Sequence, residues 1–274
     1  MQKLTSFIFL IILTSFFSCD NKTGQPCDNH FIRGNNFFLA ADLHNALVEF
    51  DEAIREDSKN ANAYFGKGST YMLLGNYDNA IQNLNNAIQI NPKFTYAYYS
   101  RGSIEKLIGR NEQALADYKK AIELNPDFVF ALVTAASTEA ELGQRQQAIQ
   151  DLSKAIKLQP NFYLAFYYRG SYKNTLGDTK GAIDDITKAL NIKSDFANGY
   201  LARGIYNGDI KNYEEAVEDL SKAIKLEIND TRAFLYRGVY ENLLGQKEKA
   251  CIDFNKAKLM GDAAAQTYIE KYCK

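Results

Sequence analysis

The sequence predicts an all-α protein, an α-solenoid of about seven stacked helix-turn-helix repeats closed by a C-terminal capping helix. Three observations carry this expectation. The stretch from Ala97 to Phe128, AYYSRGSIEKLIGRNEQALADYKKAIELNPDF, returns at multiples of 34 residues, as AYFGKGSTYMLLGNYDNAIQNLNNAIQINPKF from Ala63 and AFYYRGSYKNTLGDTKGAIDDITKALNIKSDF from Ala165. An alanine series runs without a gap through Ala46, Ala80, Ala114, Ala148, Ala182, Ala216 and Ala250, each with another alanine seven residues on, from Ala53 to Ala257. Finally, Gly75, Gly109, Gly143, Gly177 and Gly245 recur between two runs of helical periodicity, where a helix end needs a residue tolerant of positive φ.

At the N-terminus, residues 1–18 have the pattern of an export signal. Lys3 precedes the apolar run FIFLIIL from Phe7 to Leu13, and Thr14 to Ser18 lead to Cys19. Ser18 directly before Cys19, with the polar tail DNKTGQPCDN around and behind it, resembles a bacterial lipoprotein signal. That resemblance implies that Cys19 becomes the lipidated first residue of an exported protein anchored to a membrane of the bacterial cell envelope. An ordinary cleaved signal and an uncleaved anchor are the alternatives, although the apolar run is short for a span of about 20 residues. Residues 19–28 would then form a short tether reaching about 30 Å at most, which keeps the protein close to a membrane surface.

The repeats fall at about 27–60, 61–94, 95–128, 129–162, 163–196, 197–230 and 231–264, with a cap at 265–274. Counting each so that its glycine is position 8 gives Gly34, Gly68, Gly102, Gly170, Gly204 and Gly238, with Ala136 in the fourth. The periodicity places a first helix over about positions 2 to 14 and a second over about 18 to 30. Glycine at position 8 and alanine at 20 and 27 are small where two helices must cross closely. No repeat can bury its apolar face alone, so the stretch 29–274 reads as one continuous domain. Thr267 to Lys274, with Tyr268 and Ile269, reads as the start of an eighth first helix that covers the last repeat.

The period, the aromatic slot at position 4 (Tyr64, Tyr98, Phe166, Tyr200 and Phe234), the glycine at 8, the alanines and Pro92, Pro126 and Pro160 at position 32 together resemble the tetratricopeptide repeat (TPR). The resemblance spans about residues 27–264. It implies a right-handed solenoid whose concave groove is lined by the first helices, chiefly positions 2, 5, 6, 9, 12 and 13, and whose ligands are peptides or proteins. The groove residues on those positions are Tyr96, Tyr99, Lys106, Phe130, Val133, Tyr167, Tyr168, Asn174, Leu201, Arg232, Tyr236 and Asn242. Position 5 carries no lysine in any repeat, so the groove lacks the carboxylate clamp that some relatives use for acidic chaperone tails.

Tyrosine offers a flat apolar face, a hydroxyl and few rotors, which suits a recognition surface. The expected function is therefore a membrane-tethered scaffold or adaptor that holds a peptide or protein partner, in cell-envelope assembly as similar lipoproteins do. Glycan binding and structural self-assembly are the alternatives; a groove with leucine and valine but no tryptophan favours a peptide over a sugar.

Other chemistries find little support. A net charge of −1 and a pI near 6.2 supply no basic stripe, so no nucleic-acid partner is expected. Gly66-Lys67-Gly68-Ser69-Thr70 lacks the glycine spacing and preceding strand of a phosphate loop. His30 and His44 have no positioned nucleophile, and no catalytic residue, cofactor or small-molecule cofactor site is expected. Cys19, Cys27, Cys251 and Cys273 do not form a metal pattern. Cys251 could pair with Cys273 in an exported protein, but it holds a second-helix position that is apolar in every other repeat, and is read here as a small buried hydrophobe.

One departure from the family pattern recurs. Position 7 is Arg33, Arg101, Arg169, Arg203 or Arg237 in five repeats, and sixteen residues later each is followed by an acid: Glu49, Asp117, Asp185, Asp219 or Asp253. Two readings stand side by side: the pairs link the two helices of a repeat, an arginine fork meeting a carboxylate, or they are separately solvated charges. Lys67 has Asn83 at the later position, and Ala135 leaves Asp151 without that partner.

Overall fold

A computed structural model describes residues 29–273; the expected signal, Cys19 and the tether lie outside the described residues. The described residues hold fifteen α-helices and no strand, and they form two compact units, one ending at Phe128 and one beginning at Val129. The boundary between the units falls between the third and fourth repeats. The first unit comprises α1 (Asn29–Leu39), α2 (Leu43–Glu56), α3 (Ala61–Leu73), α4 (Tyr77–Ile90), α5 (Thr95–Leu107) and α6 (Asn111–Leu124). The second comprises α7 (Val129–Glu141), α8 (Arg145–Leu158), α9 (Tyr163–Thr175), α10 (Thr179–Ile192), α11 (Ala197–Asp209), α12 (Tyr213–Lys225), α13 (Thr231–Leu243), α14 (Lys247–Leu259) and α15 (Ala265–Tyr272). No helix among the described residues is long and apolar enough to cross a membrane.

Each repeat is a helical hairpin, and its ends follow from local chemistry. First helices such as α5 begin at position 1 and second helices at position 17, one residue earlier than the periodicity alone suggests. The difference reflects capping at position 16, where Asp42, Asn76 and Asp178 accept hydrogen bonds from the backbone N–H groups of Asn45, Asn79 and Gly181. Position 15 takes a left-handed φ of 72° to 89° at Gly75, Gly109, Gly143, Gly177 and Gly245. Ala41 and Lys211 hold the same position in the two remaining repeats and adopt φ of 60° and 68°. The turn geometry therefore overrides the ordinary preference of a residue with a Cβ.

The alanines at positions 20 and 27 are fully buried in both units, from Ala46 and Ala53 to Ala250 and Ala257. They allow the hairpin to close: a Cβ on Gly102 would stand 3.0 Å from the carbonyl oxygen of Ala114 on the facing helix. In the first unit the ring of Phe50 fills the space left by both Gly34 and Gly66, so one aromatic side chain joins the first hairpin to the second. Phe50, Leu84, Ile104 and Tyr118 there, and Leu132, Leu152, Ile186, Leu220 and Phe254 in the second unit, are the large apolar and aromatic side chains most fully removed from water. Each such side chain contributes about 1.5–3 kcal/mol.

All five arginine pairs form. Arg101, Arg169, Arg203 and Arg237 each donate two hydrogen bonds of 2.6–2.8 Å to both oxygens of Asp117, Asp185, Asp219 and Asp253. Arg33 reaches Glu49 at 2.9 Å. The third nitrogen makes a contact that the sequence reading did not include. It donates backward by sixteen residues to position 25 of the preceding repeat: Arg101 to Asn85, Arg169 to Ser153, Arg203 to Thr187 and Arg237 to Ser221, at 2.6–3.1 Å. The guanidinium also lies over the position-4 ring of its own helix, Tyr98, Phe166, Tyr200 or Phe234, at 5.6–5.9 Å. Lys67 has no forward acid and pairs backward instead, with Asp51 at position 25 of the first repeat. Asp151, opposite Ala135, is met by Lys154 of its own helix at 2.9 Å.

Burial alone would raise the pKa of Asp185, but hydrogen bonds from Arg169 and Lys173 outweigh it and hold the carboxyl below its ordinary range. The native state therefore binds this proton less tightly than the unfolded chain does. The stability contributed is present above the ordinary carboxyl pKa and is lost as pH falls through the lowered value. Asp185 is 1% exposed, so Arg169→Ala should cost about 3 kcal/mol in urea unfolding at pH 7. Acid unfolding of the variant should also begin at a higher pH than that of the natural chain.

The C-terminal helix α15 covers the last hairpin as expected, with Tyr268 stacked on Phe254 at 5.2 Å. The reading of Cys251 is corrected: it is half-buried and forms a disulfide with Cys273, their Cα atoms 5.6 Å apart. The folding of α15 back over α14 brings together two residues separated by 22 positions. Cys251→Ser with Cys273→Ser should therefore lower stability by about 3 kcal/mol through loop entropy. Hydrogen exchange should show the loss concentrated in α14 and α15.

Candidate functional site

In the first unit, Tyr96 and Lys106 are half-buried on α5, and the ring of Tyr96 packs 5.1 Å from Phe128. Tyr99 is a correction to the expected groove. It is 4% exposed, with its ring 5.6 Å from Tyr118 on the second helix and 5.0 Å from Phe128. Val133 and Leu201, at the same position 5 in the second unit, are 7% and 3% exposed. These three side chains are buried in the core and are not available to a ligand.

The second unit gathers a row of tyrosines on its first helices. Tyr167 meets Tyr168 edge-on at 5.5 Å and Phe196 at 5.0 Å, and Tyr168 stacks on Tyr172 at 6.4 Å. Tyr236 stacks on Tyr240 at 6.1 Å, and Tyr213 covers the other part of the same cluster at 5.8 Å from Tyr240. Tyr206 shares a hydrogen bond with Ser171 of the preceding repeat, and Tyr172 shares one with Ser137. Burial raises the pKa of Tyr167, Tyr168 and Tyr206. These hydroxyls stay neutral and serve as hydrogen-bonding groups on half-buried rings.

Other expected residues frame this row. Phe130 is half-buried and meets Phe162 edge-on at 5.6 Å. Asn174 is half-buried and accepts a 2.9 Å bond from Thr179, while Asn242 is half-buried near the end of α13. Arg232 is exposed, but its guanidinium is held by both oxygens of Asp230, at 2.6–3.1 Å.

The expected set omitted position 10, where Tyr172, Tyr206 and Tyr240 recur 34 residues apart. That spacing was the available signal. Tyr240, 6% exposed, is accommodated because a Cβ on Gly208 would lie 2.0 Å from its ring. Among the described residues no group of three or more histidine, cysteine or acidic side chains is placed to hold a metal ion.

Models of the tetratricopeptide repeat match residues 61–94 and 95–128, and again 131–162 and 197–228. A comparison with curated proteins finds no match. Among solved structures, the C-terminal part of a TPR repeat-containing protein from Cytophaga hutchinsonii aligns with a TM-score of 0.71 at 18% identity, covering 86% of this chain and 98% of that one. Pseudomonas aeruginosa pilF aligns with a TM-score of 0.68 at 18% identity over 78% of this chain and 98% of its own. YrrB, described as a TPR protein with an unusual peptide-binding site, aligns with a TM-score of 0.59 at 20% identity over 67% and 95%. At these identities the likeness is one of fold.

Burial pushes the Tyr172 hydroxyl up to about 12 from an ordinary 10.0, against its bond with Ser137. The native state holds this proton longer than the unfolded chain, so its contribution to stability is intact below the ordinary value and fades as pH rises toward the raised one. Tyr172→Phe should flatten the fall in urea midpoint measured across that alkaline window; an unchanged slope would assign the decline to other tyrosines.

Proposed function

The chain is a tetratricopeptide-repeat protein, and from that premise we propose that it is a scaffold holding a peptide or protein partner on the tyrosine-rich first-helix face of its second unit. The observation that carries this reading is the half-buried row of Tyr167, Tyr168, Tyr172, Tyr206 and Tyr236. A side chain that is already ordered by its neighbours loses little entropy on binding, and its remaining face is apolar with a hydroxyl at the rim. Several such faces at the repeat spacing fit an extended chain that crosses successive repeats. The proposed role is binding and carries no catalytic step.

The same proposal places the scaffold at a membrane. Lipidation at Cys19 would leave residues 20–28 as the link to α1, a reach of about 30 Å, and the task would be to present or recruit a partner during cell-envelope assembly. The Cys251–Cys273 disulfide is in keeping with an exported protein.

Affinity capture from native envelopes tests both parts. A Tyr167→Ala, Tyr168→Ala, Tyr172→Ala variant, shown by circular dichroism to retain its helices, should lose one captured protein by at least about tenfold, the scale of removing central aromatic contacts. An unchanged captured set would sink the binding face. Cys19→Ser should move the protein from the membrane fraction to the soluble one, and retention in the membrane would sink the lipid tether.

A further inference from the structure

The first helices of the second unit's four hairpins, α7, α9, α11 and α13, carry five basic side chains, and every one is committed to a carboxylate of the chain itself. Arg169 and Lys173 both hold Asp185, while Arg203, Arg232 and Arg237 hold Asp219, Asp230 and Asp253, at 2.6–2.8 Å. Asp209 is in the opposite condition. It ends α11 at position 13, is exposed, and among the described residues its carboxylate makes no hydrogen bond or ion pair. Position 13 shares a helical face with positions 2, 6 and 9, and the charge of Asp209 is felt by both Tyr206 and Tyr240.

The face is therefore built of tyrosine rings and the rim carboxylate of Asp209, with its cations internally neutralised. Tyrosine rings attract a cation through their negative faces, and a carboxylate at the end of such a row supplies the counter-charge. Although the residue as a whole is exposed, its neighbours shield the Asp209 carboxyl from water enough to raise its pKa, so its charged form is disfavoured and gains from an incoming cation. A segment rich in aspartate or glutamate would meet like charge on the same surface.

Building on the peptide-binding reading above, we infer that the segment held on this face is basic: an extended peptide whose lysine or arginine side chain lies across the tyrosines and ends at Asp209. Its specificity would come from this one counter-charge, and its affinity from the rings.

A phage-displayed library of random twelve-residue peptides, selected against the full chain, tests the inference. The selected peptides should be enriched in lysine and arginine. The best of them, synthesised and titrated, should bind Asp209→Asn about three- to tenfold more weakly, as expected for losing one ionic partner beside aromatic rings. Added salt should narrow that gap. Selection of neutral or acidic peptides, or equal affinity for Asp209→Asn, overturns the basic ligand. If those peptides still fail to bind the folded Tyr167→Ala, Tyr168→Ala, Tyr172→Ala variant, the binding face itself survives. If the variant binds them as well as the natural chain, or if nothing is selected, both readings fall.

Discussion

The guanidinium at position 7 is the constraint on which the repeats depend. A carboxylate as deeply buried as Asp185 or Asp253 would be strongly unfavourable alone. The arginine fork satisfies both of its oxygens, while the remaining nitrogen is spent on the second helix of the preceding repeat. One planar group thus fixes the register of two helices within a hairpin and of one hairpin on the one before. Lysine cannot do this. Lys67, with a single ammonium, keeps the backward contact to Asp51 and leaves the forward position to Asn83, which turns to the carbonyl of Asn79 in its own helix.

Much of this was legible. The period located the hairpins because tight helix crossings admit only glycine and alanine, and those residues are visible in any frame of 34. The forward acid was equally visible because aspartate or glutamate occupies that position wherever position 7 is arginine. The backward partner was harder to see: Asn85, Ser153, Thr187 and Ser221 share an acceptor oxygen but no residue type. On the candidate face the alignment of helical positions erred at three position-5 residues, Tyr99, Val133 and Leu201, which read as groove but are buried. The disulfide was hidden because Cys251 kept the apolar register of its repeat, and only the return of α15 makes Cys273 its neighbour.

The two features are connected. Since the clamps and the Asp230 pair absorb the basic side chains on the first helices of the second unit's four hairpins, what remains for the candidate face is tyrosine and the carboxylate of Asp209. The electrostatic character of the face is thus a by-product of how the repeats are locked. Gly208 shows a similar coupling on a smaller scale, since the absence of its side chain decides where the ring of Tyr240 can lie.

The clamp makes no reference to where in the unit a repeat sits. Arg169, Arg203 and Arg237 each look forward to an aspartate and back to a hydroxyl, Ser153, Thr187 or Ser221, so the fifth and sixth repeats offer their neighbours the same chemical terminals. Interchanging those two segments, or inserting a further copy between them, would leave every guanidinium with an aspartate and a hydroxyl. A chain locked in this way can change length in whole units of 34 residues by duplication or loss of coding sequence, without first having to invent a new junction.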